Sequence, residues 1–277
     1  LVVSAEAERV VVPDLEGFTL LDAIELLESA GFQVQGVTID DRPDQIADGL
    51  VIRSGSKVTA RVLEAADKLR VIGRAGIGVD NVDVPAATKK GILVMNTPTA
   101  NSVTTAEHAI GLMFALSRKV PAADASMKAG KWEKKKFGGR EISGKTLGII
   151  GLGTIGSIVA DRANGLKMHV LAYDPMVSEE RAVELGAKRV SLDELFEKSD
   201  LITIHTPLNE HTKHIVNDAA IEKMKPGVML VNAARGGVYD EAAVLRGLES
   251  GKIAGAAFDV YVEEPPGATD LIKHPDV

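Results

Sequence analysis

The segment "KTLGIIGLGTIGSIVADRANGLKMHVLAYD" constrains the fold more than any other stretch of this chain. Gly151, Gly153 and Gly156 follow a run of buried-strand character and open a helical pattern. In that setting one glycine makes a tight turn, one lets the backbone approach a pyrophosphate, and one lets helix and strand pack closely. Thr154 and Ile155 complete the same turn, where the helix N-terminus offers free N–H groups and a favourable dipole to phosphate. Asp174 lies 18 residues beyond Gly156, at the end of the next strand-like run. A carboxylate there can take both ribose hydroxyls and would repel a 2′-phosphate, which favours NAD over NADP. An ordinary glycine turn beside a strand-end aspartate would need strand, spacing, helix and acid to coincide by chance.

Around this turn, short β-branched or apolar runs alternate with amphipathic stretches, the pattern of α/β layering. "ADGLVIRSG", "RVIGRAGIG" and "GILVMNTP" read as strands of a first block, with "VTARVLEAADKL" as a helix among them. "NSVTTAEHAIGLMFALSRKV" reads as a long helix able to bridge two lobes, with Ser102 or Thr104 as its cap. "KAGKWEKKKFGGREISGK" reads as a polar, basic arm. The expected fold is α/β with two Rossmann-like lobes: a flavodoxin-like first domain over residues 1–97 and a doubly wound nucleotide domain over 98–277. "RVVVPD" and the helix-like "LLDAIELLESAG" have the β-α-β rhythm of a lobe's start. The stretch containing them also resembles a small repeat of cell-wall-binding proteins.

Composition removes whole classes of function. A net charge of −7 argues against bulk nucleic-acid binding and against anionic membrane surfaces. An acidic protein that takes an anionic substrate must concentrate cations locally, so single arginines matter. The absence of cysteine excludes disulfides, thiolate catalysis and thiolate-held metals. The longest apolar run, residues 109–116, falls far short of a membrane span. With no secretory leader visible, a reducing cytoplasmic setting is expected. No ligand cluster with metal spacing stands out, so no metal is expected.

"IGRAGIGVDNVD", "MNTPTANSVTTAEHAIGLM", "KAGKWEKKKFGG", "GKTLGIIGLGTIG", "YDP", "HTPL", "VNAARGGVYDEAAV" and "AAFDVYVEEPP" together resemble the D-isomer-specific 2-hydroxyacid dehydrogenases, almost unbroken from about Leu50 onward. Within that family the likeness is to the branch acting on a phosphorylated 2-hydroxy acid. It implies oxidation of 3-phosphoglycerate with NAD, the first step of serine synthesis, by a homodimer or homotetramer. A glyoxylate or hydroxypyruvate reductase of the same chemistry is the alternative, and an NAD-sensing corepressor on this fold is a different class.

The chemistry asks for a cation on the substrate carboxylate, a base for the hydroxyl proton and a hydride acceptor. Arg235 in "NAARGG" is the cation, permanently charged and able to bind a carboxylate through a two-pronged fork. By resemblance Glu264 pairs with the base histidine and raises its basicity. Ala233, Arg235 and Asp259 line the nicotinamide side, and His205, Thr206 and Pro207 form a wall beside the cofactor. The resemblance puts the base in a Pro-His-Leu-Gly-like segment. The chain is expected to stop about five residues before that segment. NAD binding with slow turnover is therefore expected. His108 is expected to be a packed or inter-lobe residue, and His169, His211, His214 and His274 to be structural or at the surface.

For the first lobe, "VIRSGSKVT" and "GRAGIG" supply Arg53, Ser54, Arg74 and Gly76. Small residues let N–H groups approach an oxyanion, and the arginines suit carboxylate or phosphate. By resemblance this is the substrate loop. Asn101 contacts substrate or cofactor near the hinge, and Ile77 and Thr105 lie on the cofactor's nicotinamide side. Lys134 falls where this branch often has an arginine reaching for the substrate phosphate.

Overall fold

The computed structural model describes residues 2–5, 8–11, 49–53 and 55–277. Residues 12–48, which carry the expected first helix and the repeat-like stretch, and Ser54 of the substrate loop lie outside the described residues. The chain divides into two compact units, Leu1–Asn101 and Ser102–Val277.

In the first unit, β1 (Val2–Ala5) and β2 (Glu8–Val11) form an antiparallel pair of their own. Among the described residues β2 pairs only with β1, and the helix and second strand of the expected β-α-β start lie outside the described residues. The parallel sheet of this unit is β3 (Gly49–Ile52), β4 (Val71–Arg74) and β5 (Leu93–Asn96), in that order. Its core joins Ile52 and Ile72 to Leu63 of the Ala60–Glu64 helix and Ala87 of the Val84–Lys89 helix. Both helices start on side-chain caps, Thr59 and Asp83.

The second unit carries a six-stranded sheet: β6 (Thr146–Ile150), β7 (His169–Tyr173), β8 (Lys188–Arg189), β9 (Leu201–Ile204), β10 (Val228–Asn232) and β11 (Ile253–Phe258). All pairs are parallel and the spatial order is β11-β10-β9-β6-β7-β8. Read from β8 this is the 3-2-1-4-5-6 order of a doubly wound nucleotide fold, with its switch point between β6 and β9. Central strands covered on both faces should be apolar throughout. Accordingly β9 and β10 are buried along their whole length.

The Ser102–Arg118 helix covers one face of this sheet. Ala106, Ala109 and Met113 share a cluster with Leu147 and Ile149 of β6 and with Val159, Ala160 and Ala163 of the Thr154–Gly165 helix. Two alanines on each helix, Ala106 and Ala109 on one and Ala160 and Ala163 on the other, let the two helices sit close. The helix begins at Ser102, whose Oγ is buried with no hydrogen-bond partner, and Thr104 lies inside the first turn. Neither residue is the cap expected from sequence. The Val120–Lys128 helix leads into the basic arm, which contains a short 3-10 turn at Lys134–Phe137 that leaves Lys134 exposed.

Candidate dinucleotide site and its reacting edge

The site lies where β6 and β9 end. Gly151 turns the chain out of β6 at φ 94°, a conformation that favours glycine. A Cβ on it would lie 2.7 Å from the His205 carbonyl oxygen, and a Cβ on Gly156 would lie 2.0 Å from the Gly151 oxygen. These two positions exclude side chains because backbone packs on backbone. Gly153 differs: a Cβ there would meet nothing within 4 Å. It occupies the N-cap of the Thr154–Gly165 helix and provides no side-chain cap. The first N–H groups of that helix therefore stand in front of open space, which suits an anion.

Asp174 follows β7. Its Oδ2 accepts from the Leu152 N–H at 2.8 Å and its Oδ1 from the Met176 N–H at 2.8 Å. The carboxylate thus holds the glycine turn as well as standing ready for hydroxyls, since each oxygen keeps a lone pair. Sequence reasoning assigned it only the second role.

His205 leaves β9, and its N–H donates to the Ile150 oxygen at 2.8 Å. Its Nε2 lies 3.0 Å from Thr203 Oγ1. Desolvation pushes its pKa down to about 4, so the ring is neutral at ordinary pH. His205 Nδ1 and the neighbouring Thr206 Oγ1 are both shielded and without a protein partner. Two orphaned polar atoms beside a glycine cradle and an uncapped helix fit a polar ligand such as a dinucleotide.

The reacting edge lies at the ends of β10 and β11, and Asn232 organises it. This residue is 1% exposed, and its Nδ2 donates to the Arg235 oxygen at 2.9 Å while its Oδ1 accepts from the Ala234 N–H at 3.1 Å. Its backbone oxygen accepts from the Asp259 N–H at 2.9 Å. One buried amide therefore shapes the "AARGG" turn and ties it to the start of the next loop. Gly236 completes the link: a Cβ there would lie 1.8 Å from the Tyr261 oxygen. The two loops touch backbone to backbone, and this contact sets Arg235 and Glu264 on one edge. Glu264 Oε1 accepts from the Tyr261 N–H at 3.1 Å, and Glu241 Oε1 accepts from Val262 N–H at 2.8 Å. Phe258 stacks edge-on against buried Tyr239 at 5.5 Å, anchoring the loop's root. Arg235 Nη1 donates to the Ala234 oxygen at 2.7 Å.

His108 was expected to be a packed or inter-lobe residue. It is not packed away: its side chain is about half exposed and its Nε2 lies 3.2 Å from Asp259 Oδ1. Neither this pairing nor the hub role of Asn232 was read from sequence. An Asn at a strand end followed by a glycine turn was the available signal for the latter.

In the first unit, taken by itself, Arg53, Arg74 and Gly76 gather at the C-terminal edge of β3 and β4. The Ala75 N–H donates to the Ile52 oxygen at 2.8 Å, and Asn81 Nδ2 donates to the oxygens of Arg53 and Ser56 at 2.8 and 2.6 Å. The Arg74 guanidinium lies over Gly76, whose φ is 144° and where a Cβ would collide with it. The Ile77 oxygen accepts from Asn96 Nδ2 at 2.7 Å. Asn101 is the exposed last residue of this unit. Among the described residues no group of three or more His, Asp or Glu side chains has the geometry to hold a metal ion, and no helix is long and apolar enough to cross a membrane.

A doubly wound parallel sheet with a glycine turn at its switch point and a carboxylate at the next strand end defines a dinucleotide-binding α/β protein. The family profile described as D-isomer specific 2-hydroxyacid dehydrogenase, NAD binding domain, matches residues 110–277. The chain belongs to that family of NAD-dependent oxidoreductases. It is 50% identical over 250 residues to the D-3-phosphoglycerate dehydrogenase of Archaeoglobus fulgidus, covering 88% of this chain and 47% of that protein. It is 49% identical over 258 residues to the Homo sapiens enzyme of the same name, covering 91% of this chain and 48% of the relative. The chain thus spans about half the length of the curated relatives it matches. Among solved structures, a glyoxylate reductase from Paecilomyes thermophila superposes with TM-score 0.77 at 36% identity, over 82% of this chain and 71% of that one. A D-lactate dehydrogenase from Aquifex aeolicus, complexed with NAD and lactic acid, gives TM-score 0.76 at 30% identity over 95% and 81%.

Proposed function

We propose that the chain serves NAD-dependent oxidation of 3-phosphoglycerate at its 2-hydroxyl, the first step of serine synthesis. The observation that carries this reading is the backbone contact between the loops of Arg235 and Glu264, beside a glycine cradle that fits a dinucleotide. The naming of relatives near 50% identity supports the substrate. When bound, NAD supplies the hydride acceptor. Gly151, Gly153, Thr154, Ile155 and Gly156 hold its pyrophosphate, and Asp174 takes the ribose hydroxyls. His205, Thr206, Pro207, Ala233 and Asp259 border its nicotinamide side. The Arg235 guanidinium grips the substrate carboxylate and stabilises the carbonyl oxygen as it forms. Glu264 orients the acceptor of the hydroxyl proton. In the other unit Arg53, Ser54, Arg74 and Gly76, with Asn101, take the acidic ends of the substrate.

A substrate panel tests this. NADH binding with the highest kcat/KM for 3-phosphoglycerate is expected. Equal kcat/KM for D-glycerate, lactate or glyoxylate would overturn the phosphoglycerate assignment in favour of the glyoxylate reductase reading, which the glyoxylate reductase similarity supports. The proposal includes a cytoplasmic homodimer. Support comes from Val120, Met127 and Trp132, apolar side chains 52%, 53% and 79% exposed on neighbouring segments of the second unit. A monomeric mass by light scattering would remove that part.

A further inference from the structure

Asp259 is held from two directions. Its N–H is fixed to β10 through the Asn232 oxygen, which places the start of the loop. Its carboxylate is fixed by a different element: His108, on the sheet-covering Ser102–Arg118 helix, approaches Oδ1 with Nε2 at 3.2 Å. The helix presents Ala106, Ala109 and Met113 to the core, so His108 is set by the packing of a rigid element. Both side chains of the pair are about half exposed, 48% and 51%. An exposed pair of this kind adds little to stability. What it does is choose one orientation for a short carboxylate. Among the described residues, Asp259 Oδ2 has no hydrogen bond to the protein, so anchoring Oδ1 leaves Oδ2 as the acceptor on offer.

We propose that His108 is a positioning residue for Asp259: the imidazole N–H holds Oδ1 and thereby presents Oδ2 to an amide donor of the bound cofactor. This rests on the reading of Asp259 given under Proposed function. The required chemistry is an N–H donor at that height on the helix, which glutamine can supply and leucine cannot.

The test is NADH fluorescence titration of the wild-type chain, H108L, H108Q, D259N and the double variant H108L/D259N. NADH affinity is expected to fall about threefold in H108L. H108Q is expected to match the wild type. In the D259N background H108L is expected to add nothing, because its partner is gone. Without dinucleotide, the His108 ring resonances should shift on D259N. Additive losses in the double variant, or ring resonances that ignore D259N, would overturn the inference alone. A wild-type chain that does not bind NADH would instead overturn the dinucleotide reading, and this inference with it.

Discussion

The C-terminal edges of the two parallel sheets carry the candidate functional arginines by opposite means. On the six-stranded sheet, Arg235 stands in a turn fixed by buried Asn232 and by Gly236 pressed against the Tyr261 backbone. On the three-stranded sheet, Arg53 is tied through half-buried Asn81, and Arg74 lies over Gly76 as a movable side chain. Backbone packed on backbone cannot yield, whereas a guanidinium over a glycine can swing away. The first edge is built to hold one geometry and the second to adapt to what it meets.

Four perturbations grade that contrast, beginning with the most severe. Gly236→Ala forces a methyl into the Tyr261 carbonyl and should cost about 3 kcal/mol. A urea midpoint that stays in place would show that the loops part easily. Acid comes next. His205 is neutral in the fold because desolvation lowers its pKa to about 4 from an ordinary 6.5. The unfolded chain therefore takes up the proton first. The stability conferred is complete above about pH 6.5 and is lost as pH falls toward about 4, up to about 3 kcal/mol. The His205→Asn variant should flatten that slope in unfolding measured across this window, and an unchanged slope would assign it to other groups. Third, Asn232→Ala leaves the Ala234 N–H and the Arg235 oxygen without partners. It should cost about 2 kcal/mol in thermal unfolding and weaken the grip of Arg235 on a carboxylate. The mildest is Asn81→Ala, at about 1 kcal/mol or less because water can replace its two bonds. A loss equal to that of Asn232→Ala would erase the distinction between the two edges.

The contrast also explains what the sequence disclosed. The glycine turn was legible because Gly151 and Gly156 are demanded by local geometry within one strand-turn-helix unit. The strands β3 to β7 and β9 to β11 were legible as apolar runs bounded by turns, whereas β8, an exposed Lys-Arg pair, was not, and Arg235 and Glu264 stood in motifs of the family. Asn232 was not, because its value comes from joining the ends of two strands whose pairing no local pattern encodes. His108 meets a residue far along the chain, so its partner depends on how a whole helix settles on the sheet. At the start of the chain the strand character of "RVVV" was legible, whereas its antiparallel partner Val2–Ala5 was not.

The Gly236–Tyr261 contact has a practical corollary for anyone reshaping substrate choice. The segments around residues 232–237 and 258–264 behave as a single exchangeable cassette. Swapping one from a relative while keeping the other would set two foreign backbones against each other, whereas moving both transfers the arginine and the glutamate with their spacing intact.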